Sequence, residues 1–246
     1  MKKILLPLFV TCFAAVLFSD DTQTTPQTQV QTQTQTSDKW APQPQAAKDE
    51  KWSFLQIGFW FDIPSSTAKS NVYGLKTGQP ISSGSGFVNG AEISWLVAGT
   101  DNLNGLQACW IYTQNRYLTG TQGAFICNIN EEGLRGLQAG LINVSGNLTG
   151  FQPGGVNVSK DIDGIQAGVL TNVARGSVTG AQFSLVNVTT NTLNGFQASA
   201  FNRTEKSNGF QLGLINISNS GGAQFGVANY IKDAAIPFLP FFNIKW

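Results

Sequence analysis

Between Gly90 and Asn229 the chain repeats one short unit ten times, close to Gly-φ-Gln-x-(Gly/Ser)-φ-φ-Asn with φ apolar. Representative copies begin Gly105-Leu106-Gln107, Gly150-Phe151-Gln152 and Gly209-Phe210-Gln211, and the leading glycines recur about every 15 residues. A unit this short cannot bury an apolar face by itself. It must pair with or stack on its neighbours, so the chain is predicted to be an array of one β unit rather than a domain built around one unique pocket.

With the leading glycine numbered 0, an apolar residue usually stands at −2 (Leu103, Leu134, Val178) and in several units again at +8 (Val144, Val158, Ile217). The extended stretch from −2 to +8 leaves roughly four residues for a turn, and turn-forming residues occur there, as in Ser145-Gly146-Asn147 and Ser159-Lys160-Asp161. No apolar spacing of three to four residues runs through this region, so helix is not expected in it. Degenerate units extend the array at Leu55-Gln56-Ile57-Gly58 and Gly74-Leu75-Lys76, and half a unit closes it at Phe241-Phe242-Asn243-Ile244.

The rest of the chain is organised simply. Lys2 and Lys3 precede an apolar run from Ile4 to Phe18, the order and length of a secretory leader, so 1–19 is predicted to be a signal peptide. From 20 to 51 the composition is dominated by Thr, Gln and Pro, which offer almost no apolar surface to offset chain entropy, and this stretch is predicted to be a disordered linker. Residues 52–246 form the β repeat domain. Charged residues make up 12% of the chain, with a net charge of +1, and no basic stripe suggests nucleic acid. There is no histidine, which removes the commonest general base, the usual nucleophile pairs and most zinc or iron sites. No enzyme activity, cofactor or metal is expected.

Two architectures suit the period. In an up-and-down β-barrel of outer-membrane type, with about 12–14 short strands, each unit is one strand plus a turn and closure removes the edges. In a parallel β-solenoid each unit is one coil of about 15 residues, and the Gln at +2 and Asn at +7 stack as polar ladders. The leader, together with the C-terminal alternation of Phe242, Ile244 and Trp246 with Asn243 and Lys245, favours the barrel. The uniformly short turns, the mixed polarity of both strand sides and the identical motif in every unit favour the solenoid. The expectation is the barrel, with outer-membrane lipid as its partner and a structural or passive small-pore role. The alternative is a solenoid acting as a binding or adhesion module.

The repeated Gly-φ-Gln-x-Gly-φ-φ-Asn units, the phrase Val72-Tyr73-Gly74-Leu75 and the ending Phe238-Leu239-Pro240-Phe241-Phe242-Asn243 resemble the surface-repeat proteins of spirochaete and related bacterial envelopes. That resemblance implies an envelope or surface location and carries over no catalytic residues; with the leader and the terminal strand, the expected location is the outer membrane or cell surface of a Gram-negative-type bacterium. The chain departs from the pattern at Pro153, and at Cys127 and Thr171 where Asn is usual. There the Asn falls one residue later, at Asn128 and Asn172, and a β-bulge is expected.

Few residues stand out as sites. Lys76 and Glu92 occupy +2 in consecutive units where Gln is the rule, so they are expected to meet as a buried neutralising pair or to face a lumen or groove. Asp161, Asp163, Glu131 and Glu132 sit in turns without the aspartate-glycine repeats of calcium-binding rolls, and are read as solvated. Cys109 and Cys127 lie in adjacent units. Export permits a disulfide between them, while their offset positions favour two separate buried thiols.

Overall fold

The computed structural model describes residues 52–60, 63 and 69–246; the predicted leader and linker lie outside the described residues. Among those described, fourteen strands and no helix form one continuous sheet wound into a parallel β-solenoid. Strand-to-strand pairing is parallel throughout except at the last strand, Phe238–Lys245, which runs antiparallel to Gly222–Ile231. The barrel expectation is therefore corrected. A barrel sets neighbouring units head against tail, whereas here Gly74 pairs with Gly90, Gly90 with Gly105 and Gly105 with Gly120, each position sitting on its own copy.

The leading glycine explains why the coils can approach this way. From Gly74 to Gly195 these glycines hold φ between 130° and 158°, a conformation nearly closed to other residues. A Cβ added at Gly105 would lie 1.9 Å from the carbonyl oxygen of Gly90. At about 4.8 Å per coil, the stack from Gly74 to Gly222 is on the order of 50 Å long.

Each coil has two inward-facing strand segments. The first buries the apolar residue at −2 and the Gln at +2; the second buries the Asn at +7 and a small hydroxyl residue such as Ser145 or Ser159 at +9. The Gly90, Gly105, Gly120 and Gly164 coils carry one more residue and bury +8 and +10, whereas in the Gly136, Gly150, Gly180, Gly195, Gly209 and Gly222 coils inward positions are even before the corner at +4 and +5 and odd after it. This change of phase marks the bend between the two segments, because a straight strand keeps a single alternation. The −2 residues form one apolar row, including Val72, Leu103, Leu134, Ile162 and Leu193, buried along the stack. The residue at +4 is small, and at Gly140 a Cβ would collide with the Asn128 amide at 2.4 Å.

The extra residue at Thr171 is absorbed as a register shift between Gly154 and Val156 on the facing coil, which returns Asn172 to its partner Asn157. Asn128 likewise pairs with Thr113 and rejoins the Asn row. Pro153 points outward at +3, and its carbonyl accepts a bond from Asn143 at 2.8 Å. Pro240 sits in the closing strand, and the next residue, Phe241, has φ 66°, a left-handed conformation.

Candidate functional site

The interior is closed by two polar ladders. Along the first, Gln107 Nε2 donates to Glu92 Oε2 at 2.6 Å, Gln122 to Gln107 at 2.9 Å and Gln138 to Gln122 at 3.0 Å. The same donation continues coil by coil from Gln152 to Gln224. Along the second, Asn128 Nδ2 donates to Asn143 Oδ1 at 2.9 Å, Asn143 to Asn157 at 2.9 Å, and so on to Asn229. The first ladder donates toward the N-terminus and the second toward the C-terminus, so their amide dipoles oppose each other across the core. The ladder side chains have essentially no solvent exposure. Apart from Gln224 Oε1 at the last rung, they satisfy one another and the neighbouring backbone, and among the described residues they leave no lumen for solutes. A passive pore through this chain falls with the barrel.

Lys76 and Glu92 meet at 3.0 Å with side chains 4% and 0% exposed. Glu92 also accepts from Ser82 Oγ at 2.6 Å, and Lys76 Nζ donates to the carbonyl of Gly99 at 3.0 Å. The pair terminates the Gln ladder. A carboxylate can only accept, so the Gln107 amide must present its nitrogen, and every rung above follows the same orientation. The geometry is that of a packed, neutralised rung rather than a groove.

Cys109 and Cys127 are separate thiols, the first half-buried and the second buried. Cys109 pairs across the sheet with Ala124, and Cys127 with Tyr112, so neighbouring coils do not set them opposite each other. Burial pushes the Cys109 thiol up to about 11, against opposing backbone hydrogen bonds from Tyr112, Ala98 and Ile111. Of the turn acids, Asp161 Oδ1 accepts the backbone N–H of Ser177 at 2.8 Å and Glu131 accepts from Gln114 at 2.6 Å. They tie adjacent turns together, and no group of three metal-ligating side chains occurs among the described residues.

The feature with functional shape is outside. The corner position +5 carries Trp95, Trp110, Phe125, Leu141, Leu185 and Leu214 in their respective coils, each between 54% and 72% exposed. Val169 and Val227 also stand at +5, and Gly155 and Ala200 leave two low points, so in-register stacking gives an uncharged apolar ridge with gaps at those two coils. Its shoulders at +1, +3 and +6 are also uncharged in all ten repeats, with Thr121 the one polar side chain among them. Phe183 at +3 meets Phe196 at +1 in a tilted contact, and Phe196 stacks on Phe210, with ring centroids 5.8 Å apart in both pairs.

Between Gly90 and Asn229 most charged residues lie on the opposite, turn edge: Asp101, Arg116, Glu131, Lys160 and Arg175 are typical, and the exceptions are Glu92 in the core, Arg135 and Asp163 at −1 and Arg203 at +8. At the ridge itself the backbone is bonded from coil to coil: Trp110 N donates to Trp95 O at 3.1 Å, Phe125 N to Trp110 O at 3.1 Å, and Leu141 N to Phe125 O at 3.2 Å. The ridge thus presents side chains without unpaired peptide groups over these coils.

Reading the unit as a single strand hid this ridge, since positions +3 and +5 then fall on the same side as polar +7. The signal was the absence of charge at +5 in every repeat. No family model, curated protein or solved structure matches the chain. Geometry and sequence pattern carry the functional reading.

Proposed function

We propose that this protein is an exported cell-envelope β-solenoid, a structural or adhesive surface module held on outer-membrane lipid by its apolar ridge and shoulders. One observation carries the reading: positions +1, +3, +5 and +6 bear no charge in any of ten repeats, while most of the charge sits in the turns. Soluble monomers rarely leave a contiguous apolar patch of more than a few hundred Å² exposed, and larger ones mark interaction surfaces. The leader-like N-terminus and the resemblance to spirochaete-type surface-repeat proteins support export and an envelope location. A non-enzymatic role accords with a chain that lacks histidine and spends its Gln and Asn on internal ladders.

The reading is tested by flotation of purified protein with vesicles of phosphatidylethanolamine and phosphatidylglycerol, and by carbonate washing of membranes from an expressing Gram-negative host. Co-flotation and retention after the wash are expected. Leu185→Glu combined with Leu214→Glu places two charges on the ridge without touching the core, and should abolish flotation while the β circular-dichroism signal stays. Recovery of the unaltered chain wholly in the soluble fraction would refute the lipid-held module.

A further inference from the structure

We infer that the solenoid lies flat on its membrane, with the stacking axis in the membrane plane, the +5 ridge in the hydrocarbon and the turn edge in water, without spanning the bilayer. This rests on the lipid-held reading above and adds to it the orientation and the residues that enter lipid.

The first argument is the direction of the polarity gradient. Around each coil the surface changes from charged turns to uncharged corner, and along the stack from Trp95 to Leu214 the corner stays uncharged in every coil, with a large apolar side chain in all but those of Gly155 and Ala200. Charges occur in the turns at Asp101, Arg116, Glu131, Lys160, Arg175 and Glu205, nearly one coil after another. Standing the axis along the membrane normal would carry several of these into hydrocarbon, where each is costly. Laying the axis flat leaves every one of them in water.

The second argument is independent of side-chain polarity. Hydrocarbon accepts a backbone only when its peptide groups are paired internally, which excludes ordinary loops. The corner at Trp95, Trp110, Phe125 and Leu141 meets that demand through its coil-to-coil bonds. The corner can therefore enter hydrocarbon without stranding a peptide group. Two aromatic indoles, Trp95 and Trp110, also lie on this ridge, and tryptophan is favoured at the membrane interface.

The test measures depth at points along the stack. Nitroxide labels are placed by Leu141→Cys, Leu185→Cys, Leu214→Cys and, on the turn edge, Thr190→Cys, in a full-length chain with Cys12, Cys109 and Cys127 replaced by alanine. Accessibility to oxygen and to a water-soluble nickel chelate is read on vesicles of phosphatidylethanolamine and phosphatidylglycerol. The three ridge labels should report one common depth in hydrocarbon, and the Thr190 position should report water. Quenching of Trp95 and Trp110 by brominated lipids in the unmodified chain provides a second reading if the cysteine-free background folds poorly. Flotation with depth rising steadily from Leu141 to Leu214, or with wet ridge labels, would overturn the flat orientation alone. Failure of the unmodified chain to float would overturn the lipid reading and the orientation together, and a discrete dimer in buffer that ignores vesicles would assign the ridge to a second copy.

Discussion

Replacing Glu92 by glutamine makes its rung resemble those above it and yet removes the carboxylate in contact with a lysine whose side chain is 4% exposed, leaving the more distant Asp101. Losing one partner of a buried pair typically costs about 3–5 kcal/mol, because the remaining charge is stranded. Glu92→Gln should therefore destabilise the N-terminal coils by about that amount. The double variant Lys76→Gln with Glu92→Gln should recover most of it by extending the amide ladder two rungs. Hydrogen-exchange protection of residues 71–94 is the suitable reading, since coils in an array need not unfold together. Equal loss in the single and double variants would show that the charges stabilise this rung in a way amides cannot. Cys109 gives a second residue-scale expectation. A thiol pushed up to about 11 is almost wholly protonated at pH 8, so alkylation of folded protein should be roughly a hundredfold slower than after denaturation, from thiolate supply alone. Site-resolved mass spectrometry checks this, and similar rates in both states would contradict the burial that raises the thiol.

At the scale of the coil, the leading glycine and the glycine three residues later have opposite meanings. Gly105 has φ 137° and its Cβ would strike the Gly90 carbonyl oxygen at 1.9 Å, so Gly105→Ala should separate two coils and yield insoluble or protease-sensitive protein. Gly123 faces outward, where an added Cβ meets nothing nearer than the Ala139 carbonyl oxygen at 3.9 Å. Gly123→Ala should change stability by less than about 0.5 kcal/mol. Comparable solubility and melting for the two variants would contradict this stacking. Such positions were legible in the sequence because a repeat displays each constraint ten times: the glycine, the Gln and Asn rows and the Lys76–Glu92 rung can all be placed by counting. The direction of the neighbour was harder. Hairpin and coil share the same period, and Phe238–Lys245 resembles a terminal barrel strand because it truly is antiparallel, but to one neighbour only. The residue pattern that separates the two is the shift of inward positions within one coil, from even at Gln138 to odd at Asn143 and Ser145. Read as one uninterrupted strand, that shift looks like mixed polarity, and the Trp95 to Leu214 ridge disappears into it.

For the whole molecule, stability is a sum over coils and their interfaces, which makes the two ends the places where assembly is decided. The last coil would offer its strand edge to any other chain, and its Gln224 Oε1 lacks a hydrogen-bond partner among the described residues. The closing strand Phe238–Lys245 covers that edge in the antiparallel sense, which breaks the register a further coil would need. Pro240 removes one donor from the new outer edge, a common device against strand addition. The return is pinned by Lys245, which meets Asp233 at 2.9 Å and holds its carboxyl below the usual range, with help from Ser220 and Gly221. A carboxyl whose folded pKa is lowered stabilises above its unfolded value and loses that contribution as pH falls through the folded one, so this clasp should loosen only in acid, below about pH 4. Removing residues 232–246 leaves the stack and its ridge intact but uncovers the edge of Gly222–Ile231. In detergent sufficient to mask the ridge, the truncated chain should form concentration-dependent, thioflavin-positive assemblies while the full chain sediments as a monomer. If both sediment alike, strand addition at this end is blocked by something other than the closing strand, and the apolar ridge becomes the surface that governs how copies associate.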